Sequence, residues 1–341
     1  MNPPFLLLEL TMESKTLPFD AYQKRRGFWH NADKGFWFPI IVVLALLLFF
    51  SCSTDTFLTL RNFTAVSGQV GMLLIACLGG TFIILMGSID LSIGALVLLN
   101  GALSVTLLNN TGAGFWVLPL MIIAGGALGL LNGALYVYGR IPSFIVTLGT
   151  LSVFSGMALK ILDGRAVEFE LPGFDLLAIG QTIPHLPNIT LCALVAWVIV
   201  VFIAARTRFG RYMYLIGGGE VVARTAGVPV RRYKIYAFIL AGALAAIAAL
   251  FSVSRLGAAG PSLGSDLLLN SLAAIVVGGT SLSGGTGGPH RTLIGVLIIS
   301  LLDNGLNLMG VSQYSQMIIK GLVVIAAVLV SREPNQETSV K

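Results

Sequence analysis

Apolar stretches recur along the chain at about 38–52, 65–86, 89–108, 115–138, 143–162, 189–205, 235–253, 267–283, 291–309 and 314–331. Each is close to the length a helix needs to cross about 30 Å of hydrocarbon. Backbone N–H and C=O groups in lipid must be satisfied inside the segment, which demands helix. The expected fold class is therefore an all-α membrane protein, a polytopic helical bundle of about ten transmembrane helices. Composition agrees: 56% of residues are hydrophobic and 11% charged, against roughly 25% charged in soluble domains. Such a chain could not cover a water-facing surface.

Charge predicts the orientation. Lys15, Lys24, Arg25, Arg26 and Lys34 precede the first stretch; Arg208, Arg211, Arg224, Arg231, Arg232 and Lys234 follow the sixth, against Glu220 alone. Six crossings separate the two groups, so both fall on one face, together with Arg140, Arg291 and Arg332. The connection at 163–188 carries Asp163, Glu168, Glu170 and Asp175 against Arg165 and falls on the other. The positive-inside rule then places both termini in the cytoplasm. The expected organisation is a cytoplasmic tail at 1–36, a transmembrane domain at 37–331 with a cytoplasmic loop at 207–233 and a periplasmic loop at 163–188, and a tail at 332–341. No positive charge precedes the short run Phe5–Leu8, so no cleavable signal peptide is expected, and Met12 is an alternative start. The net charge of +6 does not argue for nucleic acid, because the basic residues group beside apolar spans. Cys52, Cys77 and Cys192 are odd in number and lack a CxxC spacing, so neither a disulfide framework nor a zinc site is expected.

Enzymatic chemistry finds little footing. His30, His185 and His290 stand apart from any metal-ligand spacing, and there is no G-x-S-x-G elbow. Gly284–Gly288 lacks the Gly-Lys-Ser/Thr that completes a phosphate-binding loop. Uphill transport driven by ATP would thus need a nucleotide bound on another chain, and no cofactor or metal is expected on this one.

A few polar residues stand out against the apolar background. Asp90 is the only charge between Arg61 and Arg140, and a charge inside lipid is costly enough to be kept only for use. It reads either as a helix-start carboxylate or as an anchor holding a break between two helices, with Gly87 and Gly94 permitting irregular backbone. Asp303 and Lys320 lie at matching depth in two antiparallel stretches and predict a buried ion pair. Asn132, Thr147, Asn304 and Asn307 could offer hydrogen bonds to a polar solute or to neighbouring helices. The repeats Gly125/Gly129/Gly133 and Ala241/Ala245/Ala249 suit close helix packing. In the basic loop, glycines flank a possible short helix with small residues at Ala223, Ala226 and Gly227, suited to insertion into a groove on a partner.

Five motifs, in order, resemble the membrane permeases of bacterial ribose-type sugar importers driven by ATP-binding-cassette subunits. They are Gly87–Gly94, Ile141–Gly149, the loop 208–228, Val277–Gly285 and Asn304–Val311, spanning about 60 to 335. Ser88 and Gly219 replace the family's glycine and asparagine, and Leu268-Leu269-Asn270 stands where the family commonly has Glu-Leu-Asp. The resemblance implies a permease subunit in the bacterial inner membrane, paired with a second copy or with a related permease. A periplasmic sugar-binding protein would deliver a ribose-type monosaccharide, and separate ATPase subunits would hold ATP and magnesium. It implies coupling to the ATPase through Gly210, Arg211, Gly217, Gly218, Glu220, Ala223 and Gly227. Asp90, Ser92, Asn132, Thr147, Asn304 and Asn307 form the candidate polar set of the passage. The alternative is an ATP-independent secondary transporter or channel for a small polar solute.

Overall fold

The computed structural model describes residues 34–330; of the expected tails, 1–33 and 332–341 lie outside the described residues, and the first helix begins at Lys34, inside the expected tail of 1–36. Helices run as α1 (Lys34–Ser53), α2 (Leu60–Leu85), α3 (Ile93–Thr111), α4 (Val117–Gly139), α5 (Ser143–Leu162), α6 (Leu176–Ile179), α7 (Asn188–Arg206), α8 (Arg208–Gly218), α9 (Glu220–Thr225), α10 (Val230–Leu256), α11 (Leu267–Val277), α12 (Pro289–Leu308) and α13 (Gln313–Val330). Two-residue strands β1 (Val167–Glu168) and β2 (Ala258–Ala259) form the one small antiparallel ladder among the described residues. Among the described residues, seven helices are long and apolar enough to cross a membrane, and Trp37–Ser53 and Leu267–Val277 are shorter apolar helices. The chain is an all-α membrane protein.

Helices α2, α3 and α10 form the buried centre, while α4, α5 and α7 turn most of their surface outward. That outward surface is apolar, with Ile123, Ile145, Val198 and Phe202 all more than half exposed. A water-soluble monomer does not carry so continuous an apolar surface. The glycine stripe of α4 lies on α10: a Cβ at Gly129 would strike the Phe238 carbonyl, and one at Gly133 would lie 3.1 Å from Ile235 Cα. On another face of α10, Ala241 meets Gly79 of α2, where an added Cβ would lie 2.6 Å from Ala241 Cα. Small residues thus bring backbones together where lipid supplies no hydrophobic drive between helices.

Two expected helices are interrupted. The third apolar stretch begins helix at Ile93 rather than at 89. Helix α2 stops because Gly87 turns left-handed (φ 75°), with Gly87 N–H donating to Ile84 and Ser88 N–H to Ile83. This is the Schellman pattern, open to glycine because it has no Cβ. The eighth stretch ends at Val277 rather than 283, since Gly279, Gly284, Gly285 and Gly287 all have positive φ. The interrupted helices meet at Gly94 and Gly264, where a Cβ on either would lie 2.5 Å from the other's carbonyl oxygen. From there α3 runs to the end of the bundle where Asn109 donates to the Glu168 carbonyl. Helix α11 runs to the opposite end, where Gly285 N–H donates to Leu85.

Candidate functional site

Beyond the turn that closes α2, Ile89 and Leu91 have no helical partner for their amides, and α5 supplies one. Ile89 N–H donates to Ser143 Oγ and Leu91 N–H to Thr147 Oγ1, both at 3.1 Å. Ser143 and Thr147 are four apart and so share one helix face. Asp90 Oδ1 accepts from Ser92 N–H at 2.8 Å and from Ser92 Oγ at 2.6 Å. Ser92 Oγ accepts in turn from Asn132 Nδ2 of α4 at 2.8 Å. Ser92 and Asn132 are fully buried and Asp90 is 7% exposed. Of the two readings of Asp90, the helix-start one gives way: the residue precedes α3 and braces the break. Thus Asp90, Ser92, Asn132 and Thr147 come together around one irregular segment. Asn132 Oδ1 has no hydrogen-bond partner among the described residues, nor does Oδ1 of Asn100, an α3 residue that sequence reasoning missed although it is an amide in an apolar run.

The basic loop is two helices, α8 and α9, rather than one. Thr207 Oγ1 caps α8 by accepting from Gly210 N–H at 3.3 Å. Met213 and Ile216 point inward and Phe209 stacks edge-on against Phe82 of α2, ring centroids 5.0 Å apart. Arg211 and Gly218 face out. Gly217 has no room for a side chain, because a Cβ would strike the Leu85 carbonyl and Gly285 N. Helix α9 begins at Glu220, and Gly227 (φ 81°) follows its end. Ala223, expected with Ala226 and Gly227 on one narrow side of the short helix, is 2% exposed and packs against the body; Val221 and Val222 are 76% and 71% exposed. Two adjacent branched aliphatics in a basic loop were the signal that sequence reasoning passed over. Burial pushes the Glu220 carboxyl up, but the hydrogen bonds and charges of Lys234 and Arg224 outweigh it and hold the group below its ordinary range. Glu220 is thus ionised at neutral pH.

The pattern of motifs has a match in known proteins. The family described as branched-chain amino acid transport system / permease component covers residues 62–328. The chain belongs to this permease family. It is 37% identical to the ribose import permease protein RbsC of Bacillus subtilis (strain 168) over 95% of this chain and 98% of that one. It is 35% identical to the D-allose transport system permease protein AlsC of Escherichia coli (strain K12), over 89% of this chain and 92% of that one. It is 33% identical to the xylose transport system permease protein XylH of the same strain, over 85% and 89% respectively. No solved structure matches it.

The permease's remaining polar candidates lie elsewhere. Asn304 of α12 and Asn62 of α2 exchange two amide hydrogen bonds, at 3.0 and 2.8 Å. Asn307 accepts from Gln316 Nε2 of α13 at 2.9 Å. Both are helix–helix contacts, separate from the Asp90 cluster. Lys320 Nζ lies 3.1 Å from Asp303 Oδ1, close enough for an ion pair but without hydrogen-bond geometry. Among the described residues no group of His, Cys, Asp and Glu is arranged to hold a metal ion, and the three cysteines are free.

Proposed function

We propose that this permease is the membrane-spanning subunit of an ATP-binding-cassette importer for a ribose-type monosaccharide in the bacterial inner membrane. The observation that carries the energy-coupling part is α9: a short helix at the basic end, presenting Val221 and Val222 to whatever lies beyond the bundle. An exposed apolar helix face flanked by cations suits a groove on a separate subunit. We assign that subunit as the ATPase, holding ATP and magnesium. Gly210 and Gly217 let α8 lie close to the body; Arg211, Gly218, Glu220, Ala223 and Gly227 shape or support the docking face. The cargo class follows the ribose, allose and xylose permeases, to which the chain is similar over most of its length.

In this reading about ten helices span the membrane, counting α1, α11 and α13 with the seven longer ones, and both termini are cytoplasmic. A periplasmic sugar-binding protein engages the end holding residues 163–188, and a second permease copy completes the passage. Asp90, Ser92, Asn132 and Thr147 line or brace that passage. The orphaned Asn132 and Asn100 oxygens are acceptors for a sugar hydroxyl or for water when the passage opens. Asn304, Asn307 and the Asp303–Lys320 pair hold helices together outside it.

Reconstitution in proteoliposomes tests the function. With the ATPase and the binding protein present, labelled ribose should accumulate only when ATP is supplied; the permease alone should accumulate none. Concentrative uptake by the chain alone under an ion gradient would overturn this reading in favour of a secondary transporter.

A further inference from the structure

A single hydrogen-bonded path leads from the outward helix α9 to the broken segment inside the bundle. Glu220 Oε2, at the start of α9, lies 2.6 Å from Lys234 Nζ of α10. Lys234 Nζ donates to Tyr136 Oη of α4 at 2.7 Å. Tyr136 Oη lies 3.1 Å from Ser88 Oγ, in the break. An ammonium only donates, so Tyr136 oxygen accepts from Lys234, while between Tyr136 and Ser88 either hydroxyl can donate. The carboxylate at one end is thereby linked through the ammonium to the hydroxyl pair at the other. Lys234 is 8% exposed; a buried ammonium that loses its partner is strongly destabilised, whereas one that keeps it holds its neighbours in register.

Local geometry gives the path room to switch. A cavity of about 540 Å³ adjoins it, lined by Tyr136, Arg140, Glu220, Arg224 and Lys234 among others. Helix α9 hangs between Gly219 and Gly227 and spans six residues. Arg224 Nη2, 2.8 Å from Glu220 Oε1, is an alternative partner for the carboxylate on α9 itself. Movement of α9 can therefore withdraw Glu220 from Lys234 without leaving the carboxylate unpaired.

We propose that Glu220, Lys234 and Tyr136 form a positioning latch through which the docked α9 sets the conformation of the 86–92 break. Coupling to an ATPase rests on the proposed function; the latch within the chain does not. The test therefore has two arms. In the purified permease alone, in lipid nanodiscs, hydrogen exchange is read at Ser88–Ser92. Tyr136→Phe keeps the ring against Phe238 but removes the hydroxyl. It should speed exchange of the Ile89 and Leu91 amides about tenfold, the scale of one lost hydrogen bond to a charged group, with α7 unchanged. Lys234→Met should do the same and Lys234→Arg should restore protection. Unchanged exchange at 88–92 in Tyr136→Phe, or equal loosening of α7, overturns the latch, whatever the protein transports. In the second arm, the complete importer carrying Tyr136→Phe should keep basal ATP hydrolysis but take up about tenfold less sugar per ATP. An unaltered ratio overturns the latch, while absence of ATP-driven uptake by the wild-type importer overturns the transport reading and leaves the exchange result standing.

Discussion

Asp90 shows how a costly residue is accommodated. Its carboxylate satisfies the Ser92 amide and hydroxyl, groups that have no water to turn to inside the bundle. Asp90→Ala should destabilise the permease by about 1.5–3 kcal/mol, the range for hydrogen bonds to a charged group. Asp90→Asn, which keeps one acceptor oxygen, should cost less. Thermal unfolding in detergent reads both; equal stability of the alanine variant and wild type would remove Asp90 from its bracing role. Thr147 shows the complementary device: its hydroxyl, on a different helix, takes up an amide that helix α3 begins too late to use.

At the scale of elements, the contact between Gly94 and Gly264 lets the first turn of α3 approach the segment just before α11. Each glycine leaves no space for a methyl group against the other's carbonyl oxygen. Gly94→Val should therefore force the two helices apart at a cost of about 1–3 kcal/mol, as overpacking does. It should reduce sugar uptake more than insertion, judged by membrane fractionation beside transport. Full uptake would show that the two interrupted helices do not need this contact. Irregular backbone is tolerated at membrane depth where it is kept inside a helical bundle and away from lipid. The turn that ends α11 places Gly285 against Leu85 and Gly217, so the α2–α3 break and α8 share one anchorage.

Over the whole molecule, opposite ends carry opposite kinds of surface. The end with α8 and α9 gathers Arg208, Arg211, Arg224, Arg231 and Arg232; the other carries Asp163, Glu168, Glu170 and Asp175 on a loop tied to α10 through Ser254. That asymmetry orients a helical membrane protein during insertion. In a variant with Cys52, Cys77 and Cys192 replaced, single cysteines placed at Ser14 and Gln336 should react with an impermeant thiol reagent only from the cytoplasmic side, and one at Arg165 only from outside. Labelling of the two termini from opposite sides would show an odd number of crossings and sink the ten-span topology.

The sequence by itself determined the class of fold and singled out Asp90 and the basic loop, leaving open whether Asp90 starts a helix or anchors a break. Those are local signals: the length of apolar runs, a lone charge within them, and glycines where backbone must bend. It did not determine where α3 begins or where α11 ends, because those breaks rest on contacts between residues far apart in sequence, Gly94 with Gly264 and Leu85 with Gly285. Nor could it tell Ala223 from Val221 as the outward face of α9, since a six-residue helix has too few turns for periodicity to choose a side. Tyr136 went unnoticed, and Lys234 was read only as one of the loop's orienting charges. Each is unremarkable among its neighbours and gains meaning only when α4 and α10, joined by their glycines, bring a hydroxyl and an ammonium within 2.7 Å. Hydrophobic pattern selects the solvent and the elements; close packing alone decides which buried polar groups find one another.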